Sequence, residues 1–130
     1  MKLFTYVTYK KLYEVDVKQD IVLRAKNTNI IDLYCLDEND VVVDITGAIV
    51  FLTIKDKPSD DDDHAILKKT LTTFTDPTNG NTEIEITPTD CSSLLGNFLY
   101  DIKIKMSDGK IYTLSEGNVC FRKELTERVS

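Results

Sequence analysis

Hydrophobic and polar residues alternate with a period of two along much of the chain, most clearly in residues 98–106. One side of a strand in this run would carry Phe98, Tyr100, Ile102, Ile104 and Met106. The other side would carry charged residues, as is typical of a strand with one buried and one hydrated face. Residues 83–87 repeat the pattern on a shorter scale, so both segments are predicted to be strands.

Turn-forming residues divide the rest of the chain into short segments. The pair Asp108-Gly109 separates the long run from residues 110–114. Asp-Gly favours a tight hairpin because that turn requires positive φ. The pair Glu116-Gly117 is expected to precede a last strand at 118–122. Further strand candidates, each flanked by turn-forming residues, lie at 21–25, 30–36, 41–44, 48–54 and 66–75.

Only residues 88–95 have helical features, since they begin with a proline and are followed by Gly96. Their length suits a short 3₁₀ turn. About seven to nine short strands with frequent turns favour an antiparallel β-sandwich or a barrel over a parallel α/β fold. We therefore predict a single all-β domain. Residues 1–29 would form an arm or extra strands that pack on a sandwich of residues 30–130.

Residues 48–54 are apolar on both sides of their predicted strand. One side carries Val50, Leu52 and Ile54, and the other carries Ile49, Phe51 and Thr53. Two apolar faces mean that the outer face is covered, either by this chain's own N-terminal segment or by a partner. Aromatic residues of the arm are also suited to packing at an interface. The candidate partner contacts are therefore Phe4, Tyr6, Tyr9, Tyr13, Ile49 and Phe51.

The charge of the 130-residue chain narrows the classes of partner. Its net charge is −6, and an acidic domain is poorly suited to nucleic acid or to an anionic membrane surface. No apolar run approaches the roughly 20 residues of a membrane helix. Residues 1–30 carry six Lys/Arg against three Asp/Glu, whereas residues 31–130 carry ten against nineteen. This asymmetry either is chance or marks an arm that docks on an acidic neighbour, such as another copy.

Residue types that carry out catalysis are sparse. The single histidine, His64, follows the acidic run 60–63, and no nucleophile elbow, phosphate loop or zinc-protease motif is present. Four consecutive aspartates cannot all converge on one Ca²⁺ ion, so a solvated loop is favoured over a weak cation site. Three widely spaced cysteines indicate free thiols. We predict no enzymatic activity, no cofactor and no small-molecule substrate.

From residue 44 onward, the order of turns and core positions resembles a known family. The matching motifs are D-I-T-G-A at 44–48, K-D at 55–56, I-L-K-K-T at 66–70, N-G at 79–80, T-D at 89–90, L-x-G at 94–96, F-L-Y-D-I at 98–102, D-G-K at 108–110 and L-S-E-G at 114–117. Together they resemble the immunoglobulin-like β-sandwich domain of phage upper-baseplate and tail-fibre structural proteins, over roughly residues 30–122.

The resemblance implies an immunoglobulin-like fold and a structural role. Proteins of this family are virion components that hold other tail parts together, and no catalytic residues carry over. The implied function is that of a bacteriophage baseplate, tail or head connector or decoration module, made in the host cytoplasm. Its partners would be other virion proteins or further copies of itself. The alternative is a carbohydrate-binding or adhesin-like module that recognises a cell surface.

Overall fold

The computed structural model describes residues 5–11, 18–56 and 65–123. This part of the chain contains eight strands. Their bounds are β1 Thr5–Lys11, β2 Ile21–Arg24, β3 Asn29–Leu36, β4 Ile49–Lys55, β5 Leu67–Leu71, β6 Asn81–Ile86, β7 Gly96–Lys105 and β8 Ile111–Arg122. A three-stranded sheet has the order β1-β3-β6, and a five-stranded sheet has the order β2-β8-β7-β4-β5. The predicted all-β class is confirmed.

The two sheets share one hydrophobic core. Buried positions alternate along β4, and they do so as predicted in β7, where Tyr100, Ile102 and Ile104 are buried. The three-stranded sheet contributes Ile31, Leu33, Cys35, Ile84 and Ile86 to the same cluster. Because side chains of both sheets meet there, most of the apolar surface of the strands is removed from water, which is the main force that stabilises the fold. No helix in the described ranges could span a bilayer.

The two N-terminal strands depart from the antiparallel pattern. β1 pairs with β3 and β2 pairs with β8, and both pairs are parallel. The other four strand pairs of the described chain are antiparallel, as expected. The N-terminal segment thus contributes one edge strand to each sheet. The predicted boundary between an arm of residues 1–29 and a sandwich of residues 30–130 stays a prediction.

Local structure differs from the sequence-based expectation in three places. The run 41–44 makes only an isolated bridge between Val42 and Leu36. Residues 111–122 form one continuous strand, so Glu116-Gly117 is not a turn. The register of this strand against β7 shifts between Ile102 and Lys103. The short 3₁₀ helix lies at Pro77–Asn79. Residues 88–93 instead form hydrogen-bonded turns, and β7 begins at Gly96.

The predicted Asp108-Gly109 hairpin is confirmed. The backbone N–H of Met106 donates to the carbonyl of Lys110 at 2.8 Å, and Gly109 donates back to Met106 at 2.9 Å. Gly109 has a φ of 93°, a conformation that costs glycine little. This turn sets the register of β7 and β8, the longest strand pair of the five-stranded sheet.

Candidate functional site

The outer face of the five-stranded sheet is built from the outward positions of β4. Val50, Leu52 and Ile54 point into the core and are at most 1% exposed. The intervening Ile49 and Phe51 lie on the opposite face, because side chains alternate along a strand, and both are half-buried. Two apolar residues therefore occupy an outer face, as the pattern of residues 48–54 predicted.

Lysines of β7 lie directly beside these apolar residues. Ile49 is opposite Lys105, and Phe51 is opposite Lys103. On the other flank of β4, Phe51 is opposite Thr70 of β5, whose neighbour Lys68 is exposed. Each apolar position thus has a long cationic side chain nearby, and lysine stems can cover apolar surface while their ammonium groups stay hydrated.

Two shallow depressions cross this face and meet at Thr53 and Asp101. One has a cavity volume of about 350 Å³ and extends towards Lys18 and Glu116. The other has a volume of about 450 Å³ and extends across Phe51 towards Lys68, Lys103 and Ile111. We call the second depression and its flanking lysines the lysine trough; its members are Phe51, Lys68, Thr70, Lys103, Lys105 and Ile111.

The charge of the lysine trough is opposite to that of the whole chain. Lys68, Lys103 and Lys105 are exposed, and the carboxylate that lines the same depression is that of Asp101. In a chain of net charge −6, this face is a local concentration of positive charge. An apolar floor with a cationic rim is complementary to a surface that carries apolar side chains and carboxylates.

The described parts of the N-terminal segment lie at sheet edges. β1 lies beside β3, and β2 lies beside β8, so that β8 and β7 separate β2 from β4 in the five-stranded sheet. Lys18, just before β2, lines the first depression near Glu116. Residues 12–17 lie outside the described chain. The described N-terminal residues therefore extend the two sheets, and Phe51 remains only half-buried with them in place.

A partly buried hydrogen-bond network attaches the segment just before β2 to the sheet. The hydroxyl of Tyr100 donates to the carbonyl of Gln19, and the hydroxyl of Ser115 lies 2.7 Å from the same phenol oxygen. The Asp20 carboxylate accepts from the backbone N–H of Asn118 at 3.0 Å. At Gly117 a Cβ would lie 2.7 Å from the Gln19 carbonyl oxygen. Sequence reasoning missed this network, since its partners are far apart in the chain.

The two described candidate contacts of the arm, Tyr6 and Tyr9, belong to a different sheet from Ile49 and Phe51. Tyr6 and Tyr9 belong to β1, in register with Ile31 and Tyr34 of the three-stranded sheet. Ile49 and Phe51 belong to the five-stranded sheet. Phe4 and Tyr13 lie outside the described residues. The four candidates within the described residues therefore belong to two different sheets, and the role of each of the six as a partner contact stays a prediction.

The other chemically active groups of the described residues form no metal cluster. The acidic run 60–63 and His64 lie outside the described residues. Within the described ranges, no group of three or more His, Cys, Asp or Glu side chains is placed to hold a metal ion. Burial raises the pKa of Cys35 to about 12, so its thiol stays protonated and unreactive at neutral pH.

Comparisons with known proteins support a resemblance in fold but not in sequence. No family model matches the sequence, and no curated protein matches it. Among solved structures, the N-terminal domain of phage TP901-1 ORF48 has a TM-score of 0.60 against this chain. The match covers 93% of this chain and 100% of that domain, at 9% sequence identity. The shared property is the fold, so the resemblance to a phage protein domain is supported at that level.

Proposed function

We propose that this chain is a non-enzymatic structural protein of a bacteriophage virion, a baseplate, tail or head module that acts through protein–protein assembly. The observation that carries the proposal is the match in fold to the complete N-terminal domain of a phage protein. That domain is matched over its full length, so the similarity concerns the whole architecture and not a common hairpin. Fold alone does not define a role, and the surface supplies the second argument.

The outer face of the five-stranded sheet supports a role in assembly. Ile111 is 61% exposed at one end of the lysine trough, and Phe51 is half-buried at its centre. Apolar side chains within a charged rim are the usual composition of a protein interface. Partner proteins of the virion, or other copies of this chain, would cover this face, and the module would be located in the assembled particle.

The alternative, a carbohydrate-binding or adhesin-like module, is less well supported by the same surface. Sugar binding commonly uses exposed aromatic rings as platforms. In residues 18–56 and 65–123, each aromatic side chain is buried or half-buried. The exposed large apolar side chains of those ranges are all aliphatic: Val22, Val41, Val42, Ile66, Leu95 and Ile111. Aliphatic surface favours a protein partner over a glycan.

Buried thiols are consistent with synthesis in the host cytoplasm. Cys35 and Cys91 are buried and unpaired, and Cys120 is half-buried and unpaired. Free thiols persist where the surroundings are reducing. A virion protein is made in that compartment before it is assembled.

The test is to locate the protein in purified virions of the phage that encodes it. We expect quantitative mass spectrometry to find the chain in particles at a fixed, integral ratio to the other structural proteins. Immunogold labelling would then assign it to the tail, the baseplate or the head. Washed particles that lack the chain, from cells that express it, would contradict the proposal.

A further inference from the structure

A second exposed feature carries the opposite charge to the lysine trough. The connection between β3 and β4 begins with residues 37–42, which we call the acidic tip. It carries the carboxylates of Asp37, Glu38 and Asp40. Next to them, Val41 is 55% exposed and Val42 is 46% exposed. Two adjacent valines with this much exposed surface are unusual on a solvated loop, and carboxylates flank them on one side.

Local hydrogen bonds hold the acidic tip in one conformation. The Asp37 carboxylate accepts from the backbone N–H groups of Asn39 and Val41, at 2.8 and 3.0 Å. The backbone N–H of Asp37 donates to the carbonyl of Val41 at 2.8 Å. Asp40 completes the turn with a φ of 64°. A surface that is already ordered loses little conformational entropy when it binds, which favours association.

The acidic tip and the lysine trough are complementary in both polarity and charge. The trough presents Phe51 and the exposed Ile111 to apolar side chains. The exposed side chains of its lysines Lys68, Lys103 and Lys105 make no hydrogen bond or ion pair with the described part of the chain. Their ammonium groups are therefore available to the carboxylates of a docked tip, and close opposite charges set both the orientation and the rate of docking.

We propose that the acidic tip of one copy docks in the lysine trough of a second copy. This inference rests on the proposed assembly function and names its partner. The two surfaces are different parts of the chain, so the contact is heterologous. Repeated contacts of this kind close into a ring or continue as a filament. The residues that meet would be Val41, Val42 and the tip carboxylates on one copy, and Phe51, Ile111 and the trough lysines on the next.

The first experiment measures self-association by sedimentation velocity across a concentration series at low and high salt. We expect the weight-average mass to rise with concentration at about 0.05 M salt. It should fall towards that of the monomer at about 1 M salt, where the Debye length shrinks to about 3 Å. Association that is unaffected by salt would contradict a contact between charged surfaces.

Charge-reversed variants identify the two surfaces. Lys103→Glu/Lys105→Glu in the trough and Glu38→Lys/Asp40→Lys in the tip should each weaken association at least about tenfold. The matched control is Lys26→Glu/Lys123→Glu. It makes the same change in net charge as the trough variant, at exposed positions outside both surfaces, and should associate as the wild type does. Circular dichroism and thermal melting verify that each variant is folded.

Mixing the trough variant with the tip variant gives the most specific test of the contact. In an equimolar mixture, the basic tip of the tip variant can dock in the acidic trough of the trough variant. The unchanged acidic tip of the trough variant can likewise dock in the unchanged basic trough of the tip variant. We expect association to return in the mixture, which a general loss of folding or solubility would not produce. A second tip variant, Val41→Lys, leaves the backbone at Asp40 unaltered and should also weaken association.

The inference would be overturned by a wild type that stays monomeric at every concentration. It would also be overturned by a mixture that does not regain association, or by a control variant that loses as much association as the trough variant. A monomer that binds a duplex DNA oligonucleotide through the trough lysines would also overturn it. None of these results bears on whether the chain is found in virions, so failure of the inference is distinguishable from failure of the proposed function.

Discussion

The two faces of the five-stranded sheet are made by the same strands but follow different rules. On the inner face, Leu52 is 1% exposed and Ile104 is fully buried, and both pack against the three-stranded sheet. On the outer face, Phe51 and Ile49 remain half-buried beside exposed lysines. Because side chains alternate along a strand, one of two adjacent residues lies in the close-packed core and the other lies on the open surface. A substitution one position along the chain should therefore affect stability in one case and association in the other.

The largest expected effect separates these two faces directly. Leu52→Ala should lower the free energy of unfolding by about 3 kcal/mol, because a core cavity adds to the lost burial. Phe51→Ala removes a larger side chain, yet should cost only about 1 kcal/mol, since it is partly hydrated already. Urea denaturation with unchanged m-values measures both changes. Equal losses at the two positions would show that the outer face is packed like the core.

The attachment of β2 to β8 is the next most sensitive feature of the sheet. At Gly117, with a φ of 154°, alanine would place its Cβ 2.7 Å from the Gln19 carbonyl oxygen. We expect Gly117→Ala to cost about 2 kcal/mol. Hydrogen exchange should also become faster in β2. The control is Gly109→Ala, where φ is also positive but no atom lies within 4 Å of the new Cβ. Similar behaviour of both variants would argue against a steric contact.

A smaller effect is expected from the buried hydroxyl on the inner face. Tyr100→Phe removes the hydrogen bonds to Gln19 and Ser115 while it keeps the ring, so unfolding should become easier by about 1 kcal/mol. The control is Ser115→Ala, alone and combined with Tyr100→Phe. The two changes should be non-additive, since they share one network. Strict additivity in chemical denaturation would mean that the hydroxyls act independently.

The smallest effect concerns an ion pair at the periphery of the sheet. The Lys69 ammonium lies 2.5 Å from the Asp90 carboxylate. Partial desolvation opposes ionisation, but hydrogen bonds from Lys69 and Thr87 outweigh it and lower the pKa of Asp90 below its ordinary 3.8. A lowered folded-state pKa stabilises the protein above the ordinary pKa. That contribution is lost as the pH falls through the folded-state value.

Replacing the carboxylate by an amide tests this sign. Asp90→Asn should cost less than about 1 kcal/mol at pH 7, as expected for a partly exposed pair. The stability of the two proteins should converge towards pH 2. The control is Asp108→Asn. The Asp108 carboxylate lies 4.0 Å from the Lys110 ammonium, and the two side chains are 59% and 69% exposed, so this substitution should change stability less. A difference for Asp90→Asn that grows in acid would show the opposite sign.

Most of the strands were predictable because each one is encoded by local alternation. The inward set of β7 and the hairpin at Asp108-Gly109 follow from spacing and from the φ that the turn demands. The apolar outer positions Ile49 and Phe51 were also visible in the sequence. Local pattern was misleading at Glu116-Gly117. Gly117 lies within β8, where it allows the close approach of the Gln19 backbone and does not form a turn.

The sequence by itself determined the all-β class, most strand positions and the two-faced character of β4, because alternation and turn chemistry act between near neighbours. Apart from the β7–β8 hairpin, only the tertiary structure decided which strands are neighbours, and that β1 and β2 pair in parallel. It also joined Tyr100 to Gln19, and brought lysines from β5 and β7 around Phe51. These contacts link residues distant in sequence, and they form only because burying one shared core brings the strands together.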